Sequence, residues 1–131
     1  MDIKECAAVA VERKERGGYN CCQAVLSALA EEAGISDGAA KALGAGFCAG
    51  MGTMEATCGA LLGAGMIAGL KTGGAGTLRY TRGMLAEFKA RCGATACGDL
   101  KAITNGAPLC PCSECVRNAV LAYGAAVYGE Q

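Results

Sequence analysis

Apolar residues along this chain recur mostly every three or four positions, and in one place they run on without a break. The unbroken run extends from Ala56 to Leu70, bracketed by Glu55 and Lys71, with no charged residue inside it. A helix of that composition has no water-facing stripe, so it belongs at the centre of a domain. Gly59, Gly63, Gly65 and Gly69 lie inside it, each costing about 1 kcal/mol against alanine in a helix interior. Such a loss is tolerable where the missing side chains let other backbones approach. Thr57 reads as the N-cap and Cys58 as the first helical residue. A thiol there faces unpaired backbone N–H groups and the positive end of the helix dipole, which favours thiolate.

The periodic segments on either side read as amphipathic helices. Asp2 caps a first helix reaching Arg16, with Cys6, Val9 and Ala10 on one side; Glu12 and Arg16 are spaced for an i,i+4 pair, and Gly17-Gly18 stops it. Asn20 caps a second helix with Cys22, Val25, Leu26, Leu29 and Ala33 on its apolar face, closed by Gly34. Ser36 caps a third, through about Leu43. Residues 44–53 carry glycine too often for regular helix and no charge, which predicts a buried or half-buried turn. After a loop at 71–76, Thr77 opens a helix with Thr81, Leu85, Phe88 and Cys92 on one stripe, ended by Gly93. Thr95 caps a short helix bearing Cys97, to about Ile103; 105–111 is loop. Ser113 caps the last helix, whose buried face is Val116, Ala119, Val120, Tyr123 and Val127. No period-two alternation appears. The expected fold is all-α, a compact bundle of about five main helices around the glycine-rich one.

Length changes little: 131 residues form a single domain, 1–131, large enough for a core without staples. Twelve basic and twelve acidic residues balance, which leaves no electrostatic case for nucleic acid or an anionic membrane. The first residues, Met-Asp-Ile-Lys-Glu-Cys, are charged rather than signal-like. The uncharged run falls short of the ~18–20 residues of a spanning helix. The expectation is a cytoplasmic protein that does not insert into membranes.

Ten cysteines and no histidine are the anomaly. In a reducing compartment that many thiols point to redox chemistry or metal. The missing imidazole removes Cys–His catalytic pairs and mixed zinc ligation. Cys21, Cys58, Cys97 and Cys115 all fall in the first turn of an expected helix, a setting that lowers a thiol pKa from about 8.5 toward roughly 3.5–7.5.

These residues also carry a resemblance. Asn20-Cys21-Cys22-Gln23-Ala24-Val25, Gly-Met-Gly at 50–52 and Cys58-Gly59-Ala60-Leu61-Leu62-Gly63, followed by Cys97 and Cys115, resemble the C_GCAxxG_C_C family of small bacterial and archaeal proteins, named for an inferred redox activity. The likeness runs from about Gly17 to Val127. It implies that Cys21, Cys58, Cys97 and Cys115 are the four family cysteines. Cys22 stands where the pattern has a small residue, and Cys6, Cys48, Cys92, Cys110 and Cys112 are extra to it. The expected function is thiol–disulfide exchange or electron and thiol carriage, with a redox partner protein or a small thiol as partner. Cys58 is the expected nucleophile, and one of Cys21, Cys97 or Cys115 resolves the mixed disulfide.

A second constellation is Cys110-Pro-Cys112-Ser-Glu-Cys115 with Cys92 and Cys97 upstream. Close thiolates without histidine suit all-cysteine ligation, so Cys97, Cys110, Cys112 and Cys115 form the alternative metal set, for zinc or an iron–sulfur cluster. Cys-x-Cys-x-x-Cys matches no standard cluster spacing, however. Cys6, Cys22 and Cys92 sit on apolar stripes, where a thiol behaves as a small hydrophobe. The third reading is a non-catalytic structural or partner-binding bundle. Two other motifs fail. Residues 63–68 fit a dinucleotide fingerprint by letters but lie inside a helix with no strand before them. Residues 65–72 approach a P-loop, with Leu70 where glycine is required.

Overall fold

The structure is a computed structural model, and it describes residues 2–129. Eight α-helices follow one another: α1 Ile3–Arg16, α2 Cys21–Ala28, α3 Ala30–Ala33, α4 Asp37–Gly44, α5 Gly59–Thr72, α6 Thr77–Cys92, α7 Cys97–Lys101 and α8 Cys112–Tyr128. Between α7 and α8 sits a short antiparallel hairpin, β1 Ile103–Thr104 and β2 Ala107–Pro108. The fold is thus mostly helical and compact, as the periodicity predicts. Among the described residues no helix is long and apolar enough to cross a membrane.

Several caps act where the sequence puts them. Asp2 accepts from the Lys4 amide at 2.8 Å, and Ser36 from that of Ala39 at 3.1 Å. Asn20 and Gln23 form a reciprocal capping box at the start of α2. The Glu12–Arg16 pair closes at 3.6 Å. Gly34 ends α3 in the left-handed region, at φ 68°, a conformation that suits glycine; the expected single second helix is broken at Leu29.

Three helix starts differ from expectation, and each carries a cysteine; at α7 the N-cap is Ala96, not Thr95. Thr57 is drawn into an antiparallel bridge with Ala96, so α5 begins at Gly59 and Cys58 becomes its N-cap residue. Pro111 rather than Ser113 caps α8. Its carbonyl accepts from the amides of Glu114 and Cys115, at 2.9 Å each, which makes Cys112 the first helical residue. The hairpin strands, two residues each, are too short to leave an alternating pattern.

The centre is shared. α5 packs on α2, α3, α6 and α8, while α8 packs on α1, α2, α5 and α6. Close approach accounts for two of the four glycines. A Cβ on Gly59 would lie 2.6 Å from the Phe47 carbonyl oxygen, and one on Gly63 would lie 3.0 Å from that of Cys22. By contrast, a Cβ on Gly65 would meet Thr81 at an ordinary 3.6 Å, and one on Gly69 would meet nothing. That side of α5 borders an open apolar groove shared with α6. The groove explains why Leu85 is exposed and Thr81 half-buried, while Met84, Phe88 and Cys92 form the buried stripe of α6. Near the opposite end, the buried Tyr123 donates to Glu32 at 2.8 Å. Lys71 pairs with the same carboxylate at 3.4 Å, tying α8 and α5 to α3.

Candidate functional site

Backbone pairing assembles the site. The Cys58 amide donates to the Thr95 carbonyl at 2.8 Å and the Cys97 amide to that of Ala56 at 2.9 Å, which sets the starts of α5 and α7 side by side. The hairpin then folds the chain back on α7: the Cys110 amide donates to the Leu100 carbonyl at 3.0 Å. Pro111 follows at once, so α8 starts beside α7 and brings Cys112 and Cys115, one turn apart, against Lys101. Bare Gly59 lets α2 press in, with a hypothetical Cβ only 3.2 Å from that of Cys22. Cys21, the first residue of α2, arrives at the same place.

These starts surround a cavity of about 290 Å³ lined by Cys21, Cys48, Cys58, Cys97 and Cys112, with Lys14 and Lys101 as its charged residues. Of the four cysteines expected to act together, Cys21, Cys58 and Cys97 line it. Cys115 lies behind the wall, fully buried, its sulfur accepting a hydrogen bond from the Cys58 thiol. Cys48 is exposed at the rim.

Residues 48–54 form a wall of the cavity through Cys48, Ala49, Gly50 and Met54. Three non-glycine residues there, Ala49, Met51 and Met54, have φ of 51°, 63° and 65°. Each costs roughly 1–2 kcal/mol for an L side chain. Backbone bonds hold them, including the Gly52 amide to the Cys48 carbonyl at 2.8 Å and that of Met54 to Ala49 at 2.9 Å. Gly50 must be bare, since a Cβ would stand 2.8 Å from that of Cys97. Of residues 44–53, expected to be a buried or half-buried turn, Gly44 and Gly50 are buried and Phe47 half-buried, and the rest are exposed.

The electrostatics separate the thiols. Cys112 is pulled down to about 5. The Cys21 thiol's hydrogen bond is the largest cause, and with the ammonium groups of Lys101 and Lys14 it outweighs burial, which acts the other way. Cys21 correspondingly keeps its proton: that same bond and burial push its thiol up. Cys58 is also pushed up, by its bond to Cys115 and by burial. The activation expected at Cys58 therefore falls on Cys112. Burial raises Cys97 too, against the pull of Lys101. Burial works against the charge on Lys101, but the sulfurs of Cys115, Cys112 and Cys58 outweigh it and hold the ammonium above its ordinary range.

Behind Cys58 the sulfurs continue. Cys92, Cys110 and Cys115 are buried, and their Sγ atoms lie within 4.8 Å of one another, an arrangement that could hold a metal ion. Asn118 Nδ2 donates to Cys92 Sγ at 3.4 Å, Lys101 Nζ reaches Cys115 Sγ at 3.6 Å, and the Cys115 thiol donates to the Cys110 carbonyl at 3.4 Å. Cys110 and Cys115 of the alternative metal set belong to this triad. Cys97 and Cys112 of that set line the cavity instead, and Cys92, expected as core, completes the three.

The sequence reading missed Lys101 and Lys14. Lys101 leaves a signal, standing four residues after Cys97 and so on the same face of a helix; Lys14, among the charges of α1, leaves none. Cys6 and Cys22 are buried in the apolar core, as their stripes predict.

A family model, "Putative redox-active protein (C_GCAxxG_C_C)", matches residues 19–124, which span every cysteine of the cavity and of the triad. No curated protein and no solved structure matches the chain. With its motif cysteines gathered at one end of a helical bundle and the match covering most of its length, the chain belongs to the C_GCAxxG_C_C family.

Proposed function

We propose that this protein carries out thiol–disulfide exchange, with Cys112 as the attacking thiolate and Cys21 as the resolving thiol. The observation that carries the reading is the Cys112 sulfur itself. It begins a 17-residue helix, faces two lysines, accepts a hydrogen bond from Cys21 and opens on the cavity. In the first step Cys112 attacks one sulfur of a disulfide R–S–S–R, forming a mixed disulfide and releasing one thiolate. The Cys21 thiol gives its proton to that thiolate and attacks Cys112 Sγ. The second RS⁻ leaves, and a Cys21–Cys112 disulfide remains. Two electrons have passed from the protein to the substrate, and an external thiol restores the dithiol. Cys58, buried in the cavity lining and hydrogen-bonded to Cys115, is not the first nucleophile. Ten free thiols suit a reducing compartment such as the cytoplasm.

The test is trapping. With Cys21→Ser the mixed disulfide on Cys112 should accumulate and be found by peptide mass mapping, and with Cys112→Ser it should not form. Label trapped first on Cys58 would refute the assignment.

The triad supports a second reading, in which Cys92, Cys110 and Cys115 hold a metal ion; zinc or an iron–sulfur cluster would need a further ligand, and Cys58 is the next sulfur along. Metal analysis and a visible spectrum of anaerobically purified protein separate the two. Stoichiometric metal or colour favours the metal reading. Colourless, metal-free protein with a reversible Cys21–Cys112 disulfide favours exchange. Neither result leaves a structural or partner-binding bundle.

A further inference from the structure

We propose that the substrate of this cavity is a small anionic disulfide, a low-molecular-weight compound with a carboxylate or similar negative group near its sulfurs. The inference rests on the exchange reading of Cys112 and Cys21 and adds the substrate class to it.

Two observations carry it. The first is charge: Lys14 and Lys101 are the charged residues of the lining, and no aspartate, glutamate or arginine is among them. Glu55, at the end of the 48–54 wall, is exposed and outside the lining. The lining therefore presents positive charge, with no carboxylate to offset it, around the attacking sulfur. Clefts lined by one sign of charge raise the local concentration of the opposite ion. The second is size. At about 290 Å³ the cavity falls just under the ~300–1,000 Å³ of drug-sized ligand sites, a size for a short molecule. Cys112 is half-buried, and Phe47 and Met54 offer apolar surface to a short carbon chain. A disulfide on a folded protein has to fit its sulfurs into a cavity of that size to reach Cys112.

The experiment is single-turnover oxidation of the intact reduced protein, followed by mass mapping at Cys112. The probes are three disulfides of similar size: dithiodipropionate (anionic), bis(2-hydroxyethyl) disulfide (neutral) and cystamine (cationic). Each rate is divided by the rate of the same probe with 2-mercaptoethanol, which removes intrinsic reactivity. One lysine's charge acting across about 6 Å of water on the nearer charged group of each probe makes the anionic probe about ten-fold faster than the cationic one at low salt. The preference should shrink toward unity in high salt and fall several-fold with Lys14→Gln. Normalised rates that agree within two-fold, with Cys112 still oxidised, would overturn the substrate class and leave the exchange reading standing. Faster normalised reaction with a long disulfide-bridged peptide than with dithiodipropionate would overturn it in favour of a macromolecular partner. No oxidation at Cys112 by any probe would sink both.

Discussion

Alkylation of Cys112 as a function of pH tests the geometry most directly, and the magnitudes decide where to look. With its thiol at about 5, Cys112 is about 99 % thiolate at pH 7, against about 1 % for a cysteine near 9. That hundred-fold gain in thiolate is nearly cancelled, because nucleophilicity falls with basicity with a Brønsted slope of about 0.4–0.5; four units cost roughly 40- to 100-fold. At neutral pH, Cys112 should therefore react with iodoacetamide about as fast as a free cysteine peptide, and a single rate there proves nothing. The difference opens on the acid side. At pH 5 the peptide is only about 0.01 % ionised while Cys112 is half ionised, so Cys112 should label roughly fifty- to a hundred-fold faster. Residue-resolved mass mapping of short labelling pulses between pH 4 and 9 gives the curve. Its midpoint should rise most in Cys21→Ala, which removes the largest favourable contact, and less in Lys101→Met. If Cys112 labelling falls ten-fold per unit from pH 8 to 6 in parallel with the peptide, the lysine-and-thiol account of its ionisation is wrong.

The glycines of α5 make a paired stability test. Gly59→Ala puts a methyl 2.6 Å from a backbone oxygen and should cost about 2 kcal/mol by overpacking. Gly69→Ala meets open space and should stabilise by up to ~1 kcal/mol. Urea midpoints at constant m measure both, and equal effects would refute the close-approach account. The buried thiols make a prediction at high pH. Burial pushes Cys22 up to about 12 and Cys110 to about 11, from 9.0. A folded value above the unfolded one gives stability that is complete below pH 9 and lost as pH rises through 11 and 12. The melting temperature of the reduced protein should accordingly fall from pH 9 upward, and less steeply with Cys22→Ala if that variant's pH 8 stability is taken as its baseline.

Helices announced themselves through apolar spacing and through caps that act over three residues, and both signals are local. The Asp2, Asn20 and Ser36 caps needed nothing from the rest of the molecule. Thr57 looked equally good as a cap, but it is spent on a bridge to Ala96, 39 residues away by number. No local rule anticipates that pairing, and it moved Cys58 outside its helix. The uncharged run misled in a similar way. Absence of charge from Ala56 to Leu70 implied burial on all sides, yet Leu70 is exposed and the open groove beside α6 leaves Leu62 and Met66 half-buried.

The sulfur site was legible in its membership and not in its roles. Treating every helix start as an equivalent activator of thiols put Cys58 first, because it also carries the motif. The helices are unequal, however: Cys97 begins five residues of helix, Cys21 eight and Cys112 seventeen. A dipole built from so few peptides in α7 has little to offer Cys97, and burial dominates there. Even at α8 the helix start is not the main cause. Cys112 is a thiolate because a neighbouring thiol donates to it and two lysines face it. Those partners come from α1, α2 and α7, and only the hairpin that folds α8 back against α7 brings them together. The proposed exchange therefore depends on Cys112, one of the cysteines extra to the family pattern, activated first by Cys21 and then by two lysines that no cysteine pattern records. A relative with the four motif cysteines but without equivalents of Cys112 and Lys101 should lack the acid-side alkylation advantage even with its fold intact.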